Sequence, residues 1–263
     1  MTSDRSIERH FSRAAEIYHR EASVQRAAAR RLADEIASLP RNPRRILDIG
    51  CGTGFLTREV AERFPTARVE GVDLSLGAVA FARQQLDDLP NVEVNVADAL
   101  AFTSPEPFDL IVSSSSLQWL RPFETLFGNV RGMLATRGDF CLTGMLEGTL
   151  GELHALRRQL FPDNPPRQPL PAHSEVLGAL QKSGFRVNSS ELVESKQEHS
   201  SAREFFRSIR SQGLTGGPLS AGAHMLTRGE IERLVATYQD RYQDAQGRVP
   251  ASYRYGIYSA QVA

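Results

Sequence analysis

Three glycines spaced two apart, Gly50, Gly52 and Gly54, follow an apolar run that carries an acid near its end, Ile46-Leu47-Asp48-Ile49. Glycine carries no Cβ, so its backbone N–H groups can approach a bound molecule closely. Asp48 places a carboxylate near the tip of the same run. The combination reads as a nucleotide-type cofactor loop between a strand and a helix. Spacing narrows the chemistry. A dinucleotide fingerprint is G-x-G-x-x-G; here the third glycine arrives one position early, and Phe55 occupies the expected slot. Later apolar runs close in polar residues too. Val69-Glu70-Gly71-Val72 ends in Asp73, just before Ser75, where a carboxylate can accept both hydroxyls of a nucleoside ribose. Val92 to Val96 leads to Asp98-Ala99, and Phe108 to Val112 leads to Ser113-Ser114.

The hydrophobic-Asp-x-Gly-x-Gly-x-Gly pattern, followed in order by Asp73, Asp98 and Ser113, resembles class I S-adenosylmethionine-dependent methyltransferases. That resemblance implies a Rossmann-like α/β fold: a seven-stranded, mostly parallel sheet with an antiparallel last strand and a helical lid. It implies S-adenosyl-L-methionine as cofactor, S-adenosyl-L-homocysteine as product, and no metal. Gly50, Cys51, Gly52 and Gly54 would form the cofactor loop, with Asp48 near the methionyl amine. Asp73 would hold the ribose and Leu74 would pack on adenine. Asp98 and Ala99 would meet the adenine edge. Ser113, Ser114 and Leu117 would line the site beyond the fourth strand, and Tyr18 would reach the cofactor carboxylate from the lid.

The elements that must position these groups are legible in the pattern. Phe11, Ala14, Ala15, Tyr18 and Ala22 share one helix face, and Ala28, Leu32, Ile36 and Leu39 a second. Pro40 and Pro43 punctuate the entry to the first strand. Strands then alternate with helices, as in a mostly parallel sheet. A helix is expected over Phe123 to Leu134, and a fifth strand over Gly138 to Gly144. Further helices are expected over Glu152 to Leu160, Ser174 to Ser183 with Ser174 as N-cap, Ala202 to Gln212, and Thr227 to Tyr242. Thr227 and Glu230 form a capping-box pattern. Phe161 to Pro171, including Asn164-Pro165-Pro166, reads as a loop, and His173 as a loop histidine without a role. Phe185 to His199 and Ser252 to Val262 are the last strands. The chain reads as one domain: a helical lid at 1–45, a cofactor-binding core at 46–146, and substrate-side helices and last strands at 147–263.

Composition bounds the setting. The 263 residues are 41% hydrophobic and 24% charged, ordinary for a globular enzyme. No apolar stretch approaches a membrane span, and the polar N-terminus is no secretory signal. Cys51 and Cys141 suggest neither a disulfide framework nor a zinc site, so a reducing cytoplasm is expected. A formal net charge of zero argues against a nucleic-acid binder. Arg5, Arg9, Arg13, Arg20, Arg26, Arg30 and Arg31 give the N-terminal segment a basic face, either solvated or suited to an acidic partner.

Markers along almost the whole chain are similar to a narrower family, the malonyl-acyl-carrier-protein O-methyltransferases of biotin biosynthesis. They include Phe11 to Tyr18, Val24-Gln25, Ser116-Leu117-Gln118-Trp119, Gly148 to Leu153, Arg207 to Arg210, Leu226-Thr227-Arg228, and Gly247 to Pro250 with Tyr253. The implied reaction is methylation of the free carboxylate of a malonyl thioester, with acyl-carrier protein bearing malonyl-phosphopantetheine as partner. Coenzyme A would be the poorer carrier. No obligatory catalytic base is expected, because a carboxylate is already ionised at neutral pH. Gln118 and Trp119 would shape the acceptor pocket. Arg207 or Arg210 would engage the malonyl group or carrier phosphate; Arg210 stands where some relatives carry lysine. Two other readings stay open: a small-molecule carboxylic acid O-methyltransferase of the aconitate type, and a non-catalytic cofactor-binding protein.

Overall fold

The computed structural model describes residues 15–165, 170–211 and 224–263. Phe11, Ala14, Arg5, Arg9, Arg13, Pro166 and Gln212 lie outside these residues. One sheet of seven strands organises the chain: β1 (Arg45–Ile49), β2 (Arg68–Asp73), β3 (Val92–Val96), β4 (Phe108–Ser114), β5 (Leu134–Met145), β6 (Phe185–His199) and β7 (Val249–Val262). Their order across the sheet is β3-β2-β1-β4-β5-β7-β6. All neighbouring pairs from β3 to β5 are parallel, and β7 runs antiparallel to both β5 and β6. The expected α/β architecture with its antiparallel last strand is therefore present.

The chain winds outward from β1 to the edge strand β3 and then returns to place β4 on the other side of β1. Connections leave in opposite directions from the carboxyl ends of β1 and β4. Such a switch point opens a crevice, and ligands of open α/β sheets bind there.

Helices cover both faces because the central strands are apolar on both sides. Leu47 and Ile49 of β1, Ile111 of β4 and Leu142 of β5 join the buried faces of α4 (Phe123–Met133) and α6 (His173–Lys182). On the other face, Ile46, Leu110, Val112, Cys141 and Met145 meet α1 (Ser23–Ala37) and α2 (Phe55–Arg63). The α1 helix buries Val24, Gln25, Ala28, Ala29, Leu32, Ala33 and Ile36, a stripe at helical spacing. Residues 15–21 are also helical, and Ala22 breaks the helix before α1. The α3 helix (Leu76–Gln85) begins at an N-cap, Ser75, whose hydroxyl accepts from the Ala78 N–H at 3.2 Å.

Strands β6 and β7 are long, at 15 and 14 residues, and carry the remaining helices. Val249, Ala251 and Tyr253 of β7 pack with Phe205 and Ile209 of α7 (Ala202–Ser211), Leu234 and Tyr238 of α8 (Arg228–Tyr242), and Leu153 and Leu156 of α5 (Gly151–Leu160). These contacts belong to the same cluster as α1, so these helices and the sheet share one core. The capping box of α8 forms as expected, with the Glu230 N–H donating to Thr227 and the Thr227 N–H to Glu230 at 2.7 Å.

Several boundaries differ from the sequence reading. Helix α6 starts at His173, capped by Ala172 without a side-chain bond, and Ser174 lies inside it. His173 is no loop residue: its ring stacks on Tyr258 at 5.2 Å, and its Nδ1 lies 3.0 Å from the Tyr258 hydroxyl. Strand β5 begins at Leu134, which pairs with Phe108 across a register shift. Strand β7 begins at Val249 because β6 pairs with it out to His199. Asn164, read as plain loop, is buried, and its amide accepts from the His224 N–H and donates to the His224 carbonyl.

Candidate active site

The loop after β1 closes on its neighbour through backbone bonds. The N–H groups of Gly50 and Cys51 both donate to the Val72 carbonyl, at 2.8 and 3.1 Å. Gly50, Gly52 and Gly54 have φ of +67°, +54° and +87°, in the left-handed region that L side chains rarely adopt. Their surroundings differ. A Cβ at Gly50 would lie 2.6 Å from Ser116 Cβ, whereas one at Gly52 would meet nothing within 4 Å. Gly50 is thus packed against the β4 loop, and Gly52 faces open space. We expect Gly50→Ala to destabilise the protein by about 1–3 kcal/mol from backbone strain alone, with the Ser116 clash added. Gly52→Ala carries the strain without the clash. Thermal denaturation of the two variants, with Gly50→Ala melting lower, checks this.

Asp73 ties the loop to the second strand. One carboxylate oxygen accepts from the Gly52 N–H at 2.9 Å and the other from the Ser75 N–H at 2.8 Å. Burial raises its pKa, and those two N–H groups oppose the shift. Leu74 follows, a residue 40% exposed, an apolar group left uncovered at the mouth. The Ala97 N–H donates to the Asp73 carbonyl at 3.0 Å, which brings the end of β3 alongside. Asp98 is exposed there and accepts from the Leu100 N–H at 2.9 Å, while Ala99 is buried.

Asp48 is fully buried. Its Oδ2 accepts from the Thr57 hydroxyl at 2.6 Å, but its Oδ1 has no hydrogen-bond partner among the described residues. Burial pushes the carboxyl up to about 7, with the Thr57 bond opposing the shift and the charge of Asp73 adding to it. A buried carboxylate oxygen without a partner is costly. It is a fitting counter-group for a ligand cation. Tyr18, on helical residues 15–21, lies within the field of Asp73; burial first, and that charge second, raise its pKa. His19 beside it stacks on Phe55 at 4.4 Å.

On the other side of β1, Ser113 and Ser116 fasten the β4 loop to the sheet. Ser113 Oγ donates to the Ile49 carbonyl at 2.9 Å and lies 2.6 Å from Ser116 Oγ. Ser114 ends the strand. Leu117 is buried, so close that a Cβ at Gly144 would lie 2.8 Å from its own Cβ. Gln118 is buried as well, its Nε2 donating to the Ser115 carbonyl at 2.7 Å, and Trp119 closes this single 3-10 turn half-buried.

The fold therefore gathers Tyr18, Asp48, the glycine loop, Asp73, Leu74, Asp98, Ala99, Ser113, Ser114, Gln118 and Trp119 around the carboxyl ends of β1 to β4. Arg207 and Arg210 stand apart on the exposed side of α7, whose buried side is Ala202, Phe205 and Ile209. Ser211, at the end of that helix, donates to the Glu21 carboxylate, which links α7 to the Tyr18 segment. Part of the basic N-terminal face is taken up internally. Arg31 pairs with Glu191 at 2.6 Å, and the Arg26 guanidinium lies 4.8 Å over the Phe55 ring. Thr53, Thr143 and Ser115, which spacing did not single out, also carry buried hydroxyls without partners among the described residues at this end of the sheet.

The pocket fits a nucleoside that also carries a cation: an acid with two fixed oxygens for a diol, an uncovered leucine beside it, an open glycine and an orphaned carboxylate oxygen. Among the described residues, no three His, Cys, Asp or Glu side chains converge as metal ligands would. No described helix is long and apolar enough to cross a membrane.

Comparison with known proteins agrees with this geometry. A family profile described as "Methyltransferase domain" matches residues 46–138. The malonyl-[acyl-carrier protein] O-methyltransferase of Geobacter sulfurreducens is 32% identical, over 98% of this chain and 99% of its own length. Among solved structures, a putative methyltransferase from Bacillus halodurans superposes with a TM-score of 0.64 at 13% identity, covering 87% of this chain and 96% of that one. A geranyl diphosphate C-methyltransferase from Streptomyces coelicolor, in complex with S-adenosyl-L-homocysteine, gives 0.54 at 16% identity, covering 90% and 78%. These last two establish the fold.

Proposed function

The chain belongs to the malonyl-[acyl-carrier protein] O-methyltransferase family, and on that premise we propose that it esterifies the free carboxylate of malonyl-acyl-carrier protein with a methyl group, in the cytoplasm, during biotin biosynthesis. The observation that carries the reading is the reach of the likeness, which extends over 98% of the chain and so includes the helices above the sheet as well as the glycine loop.

The chain's own groups divide the work. Asp73, held by the Gly52 and Ser75 N–H groups, takes the ribose. Asp48 balances the methionyl ammonium, Leu74 with Asp98 and Ala99 receives adenine, and Tyr18 closes over the cofactor from residues 15–21. When bound, S-adenosyl-L-methionine supplies an electrophilic methyl on a sulfonium. The acceptor carboxylate is ionised at neutral pH. One of its oxygens would take the methyl group as the methyl–sulfur bond breaks and the neutral thioether S-adenosyl-L-homocysteine leaves; no proton leaves the carboxylate, so no general base is needed. What remains for the protein is in-line placement and removal of water from the nucleophile. Gln118 and Trp119 shape that acceptor end. Arg207 and Arg210, exposed on α7, meet the phosphate or carboxylate of the incoming carrier arm. The product is a neutral methyl ester, which can then be elongated as an ordinary acyl chain.

The test is direct. The protein is incubated with S-adenosylmethionine and malonyl-acyl-carrier protein, malonyl-coenzyme A, or a panel of small carboxylic acids, and mass spectrometry locates the added methyl. Ester on the malonyl carboxylate of the carrier protein is the expected outcome. Ester on a small acid with none on the malonyl group would transfer the assignment to a small-acid methyltransferase, and binding without turnover would leave a cofactor-binding protein.

A further inference from the structure

Among the described residues three buried hydroxyls near the cofactor pocket have no hydrogen-bond partner: Thr53 Oγ1 inside the glycine loop, and, on the far side of β1, Thr143 Oγ1 on β5 and Ser115 Oγ just past β4. Thr143 is fully buried in an interior strand, between Ser114 of β4 and Ile257 of β7. Valine has the same shape without a hydroxyl to desolvate, so an unpaired threonine here is the costlier choice for the fold. Ser115 is held at φ +57°, a region a non-glycine residue adopts at a cost. Two bonds hold it there. Its N–H donates to the Thr143 carbonyl at 3.0 Å, and its own carbonyl accepts from Gln118. The residues are thus neighbours, joined through the backbone.

The place of Thr143 in the sheet says which face it takes. Side chains alternate along a strand. Thr143 therefore shares its face with Cys141 and Met145, which pack in the α1 cluster, and Asp48 shares that same face with Ile46. The register Asp48↔Val112 and Ser114↔Thr143 sets Thr143 two strands from Asp48 and further toward the carboxyl edge. On the proposed function the ribose and the ammonium of the cofactor lie at the ends of β2 and β1, by Asp73 and Asp48. The Thr143 and Ser115 hydroxyls sit beyond them, at the ends of β4 and β5.

We propose that Thr143 and Ser115 are the hydrogen-bond donors that hold the acceptor carboxylate. Two hydroxyls can fix a carboxylate in place while one of its lone pairs stays free to take the methyl group. Being neutral, they lower its nucleophilicity less than a guanidinium would. The inference rests on the carboxyl-methylation reading and specifies how its acceptor is bound.

The experiment starts from the wild-type chain, with the methylated carboxylate identified as above, and compares Thr143→Val, Thr143→Ser and Ser115→Ala. We expect Thr143→Val and Ser115→Ala each to raise KM for that acceptor about tenfold, the usual cost of a lost hydrogen bond to a charged group. The dissociation constant of S-adenosylhomocysteine should stay within about twofold by calorimetry. Thr143→Ser should retain wild-type KM. Thr143→Val should unfold at the same temperature as wild type or higher, since it removes an unpaired buried hydroxyl. An unchanged KM in Thr143→Val and Ser115→Ala overturns the proposal, as does a fall in cofactor affinity that matches the change in KM. Should Thr143→Val fail to fold, Ser115→Ala decides by the same criteria. If the wild-type acceptor proves to be a different carboxylate, the functional reading fails while these comparisons still judge the two hydroxyls on that acceptor.

Discussion

Asp48→Asn is expected to melt higher than the wild-type protein at pH 8 when no ligand is present, and to bind S-adenosylmethionine far more weakly. Asp48 is fully buried, and one of its oxygens has no partner among the described residues. Its carboxyl is pushed up to about 7 from an ordinary 3.8. A raised folded-state pKa means that the folded chain holds the proton more tightly than the unfolded chain. The stability this provides is fully present below about 4 and is lost as pH rises through about 7. Above pH 7 the ionised group costs the ligand-free protein on the order of a few kcal/mol. Asparagine keeps the shape and the acceptor for Thr57 without the charge. A gain of roughly 5 °C in Tm is the expected scale for a chain of this size. In the wild-type protein a bound ammonium would offset the same cost. Cofactor affinity should therefore strengthen up to about tenfold per pH unit between pH 5.5 and 7 and level off above, while in Asp48→Asn this dependence disappears. Calorimetry across pH 5.5–8.5 reads both slopes. A flat wild-type profile, or a variant less stable than wild type at pH 8, would contradict the assigned role of the orphaned oxygen.

Asp73→Ala should reduce cofactor affinity by about a hundredfold or more, the combined scale of two lost hydrogen bonds to a charged group. Its two oxygens already accept the Gly52 and Ser75 N–H groups at 2.9 and 2.8 Å, so removing the side chain also frees the glycine loop. A double-mutant comparison separates these effects. If Asp73 holds the ribose diol, wild type loses affinity for a 2′-deoxy analogue of S-adenosylhomocysteine, and Asp73→Ala loses no more. Equal discrimination by both proteins would leave Asp73 with the loop alone. Near-normal affinity of Asp73→Ala would remove the residue from the site.

Both predictions concern residues that spacing alone pointed to. Asp48 and Asp73 lie at or near the ends of apolar runs, and strand ends are where an α/β sheet presents polar groups to a ligand. The capping box of α8 was equally legible, since Thr227 and Glu230 satisfy each other within one turn. Boundaries set by distant partners were not. Ser174 looks like an N-cap, yet the helix starts at His173, whose ring is held by Tyr258 from β7. Strand β7 extends to Val249 only because His199 of β6 lies opposite. Nothing near Pro250 in sequence announces a partner some fifty residues away.

The sequence by itself determined which cofactor pocket this chain builds. The acid, the three glycines and the second acid act through local backbone conformation and through their position at strand ends, and both are written in neighbouring residues. Tertiary structure alone decided the state of those groups and what lies beside them. Burial beneath the packed helices pushes the Asp48 carboxyl up to about 7, and the charge of Asp73 adds to the shift. Thr143 reads in sequence as an ordinary β-branched strand residue. It becomes a candidate for substrate binding only when β4 and β7 flank it, α1 covers its face, and no acceptor among the described residues reaches its hydroxyl. Burial and hydrogen-bond pairing depend on residues brought together from across the whole chain, so no window of sequence contains them.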